Sequence, residues 1–264
     1  MSLVVPYIMD ISMYQLLPSS VEQGKTINWQ KAWDAGIRVV AIRATVGNWY
    51  TDPVFEPNWN GAKEIGMVTT AYHVIKPSHS FQSQMDRFFS VLKDKKADIP
   101  LVLDNELQDN KSKQVITNVI QKSAQYIADK DGRNPFNYTR QSWWDLHVLS
   151  WSKWNEYPLW VAWYPYDPEY PTVPKERIPR DYTTYTLWQF SADGNNQGSK
   201  YGCESKAVDL NKFNGTPEEF DVMFNTNISN GTTPSPPPPP SYTQEEKVNI
   251  LWRDAGKYGW NLEK

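Results

Sequence analysis

Residues 100–106 read Pro-Leu-Val-Leu-Asp-Asn-Glu, an apolar run that passes without a turn into two carboxylates one residue apart. Helical spacing flanks it on both sides, at Ser80–Lys93 and at Ser112–Lys130, where Val115, Val119, Lys122 and Tyr126 fall near one face. A short apolar run between helices is the pattern of a strand covered on both faces. Comparable runs lie at Val4–Met9, Arg38–Ala44, Met67–Val74, Pro135–Thr139, Leu159–Tyr164, Tyr185–Phe190 and Ala207–Leu210. Strands alternating with helices predict a parallel sheet, and eight of them predict a closed (β/α) barrel rather than an open sheet. The connection from Tyr164 to Tyr185 is proline-rich and without helical period. The expected fold class is therefore α/β, a modified TIM-like barrel that is irregular in its second half.

Barrels of this kind carry their chemistry where the strands end. On this reading the first strand ends at Asp10, the fourth in Asp104-Asn105-Glu106 and the last at Asp209, so separate strands deliver carboxylates to one rim. Asp104 and Glu106 are two apart on extended chain and point to the same side, with Asn105 pointing away. Crowded carboxylates repel, which keeps one of them protonated near neutrality. A protonated carboxyl beside ionised ones suits glycoside cleavage, which needs an acid for the leaving oxygen and negative charge near the anomeric carbon. Taken singly, such residues also serve as helix caps or partners of Lys and Arg.

Composition removes other classes. The 264 residues include 13 Trp, 15 Tyr and 9 Phe, too much apolar surface for a disordered chain. A single Cys, Cys203, excludes an internal disulfide framework and reads as a free thiol. The net charge of −3 argues against a general nucleic-acid partner. His73, His79 and His147 lie too far apart in sequence for a zinc-hydrolase motif, and no metal or cofactor is expected. Tyr72, Tyr138, Tyr164 and Trp188, at or near strand ends, are candidate contacts for the flat faces of sugar rings, with core packing as the alternative. Trp143, Trp144, Trp151 and Trp154 read as packing on the outer layer. His73 is expected to orient a carboxylate or a backbone carbonyl.

A set of segments resembles the glycoside hydrolase family 25 lysozymes, the N-acetylmuramidases of the Chalaropsis type. They are Met9-Asp10-Ile11-Ser12 with Tyr14-Gln15; Arg43-Ala44-Thr45 with Gly47, Tyr50 and Asp52; and Gly66 with Ala71-Tyr72-His73. Leu103-Asp104-Asn105-Glu106, Trp160-Val161-Ala162 with Tyr164, Trp188-Gln189-Phe190 and Val208-Asp209-Leu210-Asn211 complete the series in order. The resemblance implies cleavage of the β-1,4 bond from N-acetylmuramic acid to N-acetylglucosamine in bacterial peptidoglycan, with retention through the substrate's acetamido group. It implies Glu106 as general acid/base, with Asp10, Asp104 and Asp209 as an acidic surround and Asp104 facing the acetamido group. Val46, Arg43 and Met13-Tyr14 depart from the family pattern, which often has Glu, Lys and His-Trp there, and bear on the neighbouring subsites. An inactive wall-binding barrel and a chitinase-like glycosidase are the competing readings.

The expected organisation is a catalytic barrel over residues 1–224, a proline-rich linker over 225–241 and an amphipathic helical tail over 242–264. The linker contains Pro-Ser-Pro-Pro-Pro-Pro-Pro-Ser, an extended spacer. The tail places Val248, Leu251, Trp252 and Ala255 at helical spacing behind a Thr243/Glu246 capping box, and it needs a partner: the barrel, another copy or an envelope component. No membrane span and no signal peptide are visible in the sequence. Action on the cell wall fits either a phage endolysin made in the host cytoplasm or a secreted enzyme.

Overall fold

A computed structural model describes residues 8–165 and 171–229. The linker beyond Ser229 and the tail helix lie outside the described residues, as do Val4 to Tyr7 of the first expected strand. The strands are β1 (Ile8–Ile11), β2 (Val39–Val46), β3 (Tyr50–Thr51), β4 (Val68–Val74), β5 (Val102–Asp104), β6 (Phe136–Thr139), β7 (Leu159–Ala162), β8 (Leu187–Ser191) and β9 (Asp209–Phe213). They form one sheet in the order β1-β9-β8-β7-β6-β5-β4-β2-β3, which closes on itself through a β1–β2 pairing. Eight strands thus make a barrel, each overlapping one of the eight apolar runs, and β3 is a short antiparallel spur on the end of β2.

One expectation is corrected. The barrel is not wholly parallel: β9 runs antiparallel to both β1 and β8, in register Asp10↔Asp209 and Gln189↔Asn211. Asp209 therefore opens its strand instead of ending it. Because the strand is reversed, its first residue stands on the rim where its neighbours have their C-terminal ends. Asp209 reaches the expected place by the opposite route.

The helices are α1 (Pro18–Glu22), α2 (Trp29–Asp34), α3 (Phe55–Glu64), α4 (Phe81–Leu92), α5 (Lys113–Asp131), α6 (Gln141–His147) and α7 (Pro217–Phe224). Ser80 and Ser112 cap α4 and α5 through hydrogen bonds from Ser83 N and Val115 N, and Gly132, at φ 76°, ends α5 in the left-handed region. The face of α5 also differs from expectation. Ile116, Ile120, Ala124 and Ile127 are buried, while Val115 is 40% exposed and the Tyr126 hydroxyl donates to Asp86 at the surface. Two stripes overlap on this helix, and the wholly aliphatic one takes the core because it brings no polar group with it. After β6 the helices shrink. α6 spans seven residues, a 3-10 turn at Lys175–Arg177 lies between β7 and β8, and two more 3-10 turns separate β8 from β9.

The core has two layers set by strand alternation. Val39 and Ala41 of β2 face the barrel interior, with Ile8, Val102, Phe136, Trp160 and Leu187. Val40 and Ile42 face the helices, with Leu101, Leu103, Ile116, Ile120 and Phe88. Trp144 and Trp154 are fully buried in this outer layer with ring centroids 4.9 Å apart, and Trp151 lies edge-on to Trp154, so this group packs the shell as expected. α7, opened by a Thr216/Glu219 capping box, sets Phe220 against Phe213 and Phe224 against Phe136. These rings close the end of the barrel away from the carboxylate rim. Asp221 then accepts hydrogen bonds from Thr226 Oγ1, Ile228 N and Ser229 N, so the chain directly after α7 is folded back on that helix. Among the described residues no helix is long and apolar enough to cross a membrane.

Candidate active site

The open end of the barrel holds a cavity of about 210 Å³ lined by Asp10, Asp104, Glu106 and Asp209, by Tyr72, Tyr138 and Tyr164, and by Gln189, with Ala41, Val102 and Trp160 as its floor. All four expected carboxylates and three of the four expected aromatic contacts meet there. The fourth, Trp188, does not. On β8, Leu187 and Gln189 point inward, so Trp188 points out: it is 1% exposed, stacks on Trp163 at 5.5 Å and donates its indole N–H to Trp163 O at 2.6 Å. The inward indole belongs to Trp160 on the neighbouring strand.

Asp10 is held by amides whose orientation is itself fixed. Trp160 Nε1, which only donates, bonds Asn211 Oδ1 at 2.9 Å, so the Asn211 Nδ2 donates to Asp10 Oδ2 at 2.9 Å. Gln189 Oε1 accepts from the Tyr138 and Tyr164 hydroxyls at 2.7 and 2.5 Å, which turns its Nε2 onto the same Asp10 oxygen at 3.0 Å. A third donor is Asp209, across the β1–β9 pair. Burial raises the Asp10 pKa, and these three hydrogen bonds work against the rise. Asp209 is pushed up to about 9, first by burial and then by the charges of Asp10 and Glu106, so at neutral pH it carries the proton that it gives to Asp10.

Asp104 and Glu106 are set differently. Asn105, between them, turns away into the wall, where its Nδ2 donates to Leu103 O and to Asn137 Oδ1. Among the described residues the buried Asp104 Oδ1 has no hydrogen-bond partner. Burial, and then the neighbouring Glu106 and Asp10 charges, hold its pKa well above the usual carboxylate range, with Arg43 and Arg140 pulling the other way. Glu106 is raised by burial and lowered chiefly by Arg140, whose Nε lies 3.1 Å from Glu106 Oε1. Two carboxyls this close titrate as a unit and retain a proton between them to higher pH than either would alone.

Residue types alone did not single out Arg140, Gln189 or Asn211 as site residues. Gln189 and Asn211 stand inside quoted segments, but their shared partner Asp10 lies 179 and 201 positions away in the chain. Arg43 is bonded to the 2%-exposed Asp52 at 2.8 Å and lies under the rings of Tyr14 and Tyr50, so the departures at positions 43 and 14 meet in one cluster beside the rim. Asp52 Oδ2 also accepts from Met13 N, which ties the turn after β1 to the spur. His73 is corrected. It faces α4, bonded to Thr45 Oγ1 at 2.7 Å and Gln84 Oε1 at 3.2 Å, and burial lowers it to about 4. It orients neither a carboxylate nor a backbone carbonyl. Cys203 is buried, with its thiol pushed up to about 12 by burial.

The arrangement offers one firmly hydrogen-bonded carboxyl, two neighbouring carboxyls of raised pKa, and ring faces around them. The chain matches the model of glycosyl hydrolases family 25 over residues 10–199. It is 33% identical over 229 residues to Lysozyme M1 of Streptomyces globisporus, which covers 82% of this chain and 73% of that one. The bacterial lysozyme from Streptomyces coelicolor superposes with a TM-score of 0.67 at 27% identity, over 82% of this chain and 95% of that one. The muramidase from Trichobolus zukalii superposes with a TM-score of 0.66 at 28% identity, over 82% and 97%.

Proposed function

Since the chain belongs to glycosyl hydrolases family 25, we propose that it is a lysozyme: a muramidase that hydrolyses the β-1,4 bond from N-acetylmuramic acid to N-acetylglucosamine in bacterial peptidoglycan. The observation that carries the reading is the buried, unpartnered Asp104 Oδ1 beside a Glu106 of raised pKa. Of the two, Glu106 has the counter-ion at its side and the more open position, so the shared proton is delivered from Glu106 to the glycosidic oxygen as the C1–O bond breaks.

Asp104 then stands as the acceptor for the N–H of the 2-acetamido group. Holding that N–H aims the acetamido carbonyl oxygen at C1, which bonds to it from the face opposite the leaving sugar. Asp104 balances the positive charge of the cyclic intermediate. Glu106, now ionised, takes a proton from water as that water attacks C1. Two inversions leave the configuration retained, with no enzyme nucleophile. Asp10, fixed by three donors, supplies constant negative charge beneath the ring, and Tyr72, Tyr138 and Tyr164 supply faces and hydroxyls for the sugar.

Mass analysis of digested peptidoglycan tests the bond, and proton NMR of the first-formed anomer tests the stereochemistry. Reducing-end muramic acid in the β configuration is the expected result. Reducing-end N-acetylglucosamine, or an α anomer at first appearance, overturns it. The biological role that follows is lysis or remodelling of the cell wall.

A further inference from the structure

A second cavity, of about 170 Å³, lies beside the first. Tyr164 lines both, and Arg140, whose Nε pairs with Glu106 of the first, lines the second. Arg177, Gln141 and Ser142 complete its polar lining, with Trp163 as an apolar wall. The described lining of this cavity carries two arginines and no carboxylate, whereas that of the first carries four carboxylates.

Among the described residues the two arginines have donors to spare. Arg133 and Arg180 each bond two backbone carbonyls and lie against a carboxylate, which exhausts most of their donors. Among the described residues Arg140 has one ion pair, through Nε, and a guanidinium has five N–H donors. The Arg177 guanidinium has no hydrogen-bond or ion-pair partner among the described residues. Its turn is formed by a backbone bond, Arg177 N to Pro174 O. Two guanidinium forks with the Ser142 hydroxyl nearby match a carboxylate group.

We infer that this cavity is a carboxylate-binding subsite, in which Arg140 and Arg177 seat an acid group carried on the 3-O substituent of the muramic sugar whose glycosidic bond lies at Glu106. The inference rests on the muramidase reading. It adds that the enzyme recognises the substituent and not only the sugar backbone. Two sources carry the required group: the stem peptide, and the free lactyl carboxylate left when the peptide is removed.

The test compares three soluble glycan strands of equal length: peptide-bearing, amidase-stripped with a free lactyl group, and stripped with the lactyl group capped as a neutral amide. Wild type is expected to show a KM about fivefold lower on a carboxylate-bearing strand than on the neutral one, as suits an exposed ion pair, with kcat alike. A low KM on the peptide-bearing strand alone assigns the stem peptide. A low KM on the stripped strand alone assigns the lactyl group. Arg177→Gln is expected to raise the favoured KM to the neutral value and to leave the neutral strand untouched, whereas Arg177→Lys retains part of the preference. Arg177 sits on an exposed turn, and an unchanged Tm verifies that the fold is intact. Equal KM on all three strands, or an equal loss on all three in Arg177→Gln, overturns the subsite while the muramidase reading stands. Cleavage of none of them by wild type overturns both.

Discussion

The two walls of the acid pocket are built from the same residue type to opposite ends. On the β1–β9 wall, Asp10 and Asp209 sit opposite each other in the strand register, and Asp10 is gripped by Gln189, Asn211 and Asp209. On the β5 wall, Asp104 leaves an oxygen unbonded and Glu106 faces a half-exposed arginine. A carboxylate whose hydrogen bonds are all made holds its charge and position. One with an unmade bond and a contested proton is able to take up a new donor or release a proton. On the proposed mechanism, the contrast separates a fixed electrostatic floor from the groups that move protons.

That separation is breakable by measurement. Glu106→Gln keeps shape but not the proton, and is expected to lower kcat by roughly 10³-fold, read by turbidity loss on Gram-positive or chloroform-treated Gram-negative walls. Substantial activity in this variant would remove Glu106 from the mechanism. Asp104→Asn turns the free acceptor into a group that also donates, and is expected to cost about 10²-fold in kcat with little change in KM.

Asp209→Asn is expected to cost less than about tenfold, one hydrogen bond's worth, because Asp209 already carries a proton at neutral pH and an amide replaces its donation to Asp10. The same variant carries a stability signature. Asp209 is raised from the ordinary aspartate value near 3.8 to about 9, so its contribution to stability is complete at low pH and is lost as pH rises between those values. Asn cannot ionise. The variant's Tm is therefore expected to equal that of wild type near pH 4 and to exceed it at pH 8. A loss of 10³-fold in kcat would mean that the two walls are not distinct in kind.

The smallest effect is at Arg140. Its guanidinium lowers the Glu106 pKa, so Arg140→Gln is expected to raise that pKa and move the basic limb of the kcat/KM profile to higher pH. A limb that stays in place, or moves down, would show that the ion pair does not govern the acid.

How much of this the sequence disclosed depends on what periodicity encodes. It located the eight barrel strands and set Asp104 and Glu106 on one side, because alternation and apolar runs are local properties. It contains no strand direction, and β9 runs against its neighbours, so Asp209 stands on the rim as the first residue of its strand and not the last. It is also sensitive to a shift of one residue: on β8 Leu187 and Gln189 face inward, so Trp188 between them faces the outside. α5 shows the same limit, with two stripes one residue out of phase. Arg140 beside Glu106, and Gln189 and Asn211 on Asp10, come from closure of the barrel and leave no local mark.

Closure has a consequence for the order in which the molecule becomes functional. The β1–β9 pairing joins the two ends of the barrel, and Asp10 meets Asn211 across 201 positions of chain. Contacts so distant in sequence bear the full entropy of loop closure and are slow to form. A nascent or truncated chain ending before β9 has every residue of the β5 wall but no counterpart to Asp10, two unpaired strand edges, and a barrel without the α7 plug. Such a chain has half a pocket. The pocket is therefore complete only once β9 has docked, so the last strand of the barrel finishes a site whose first carboxylate stands on the first strand.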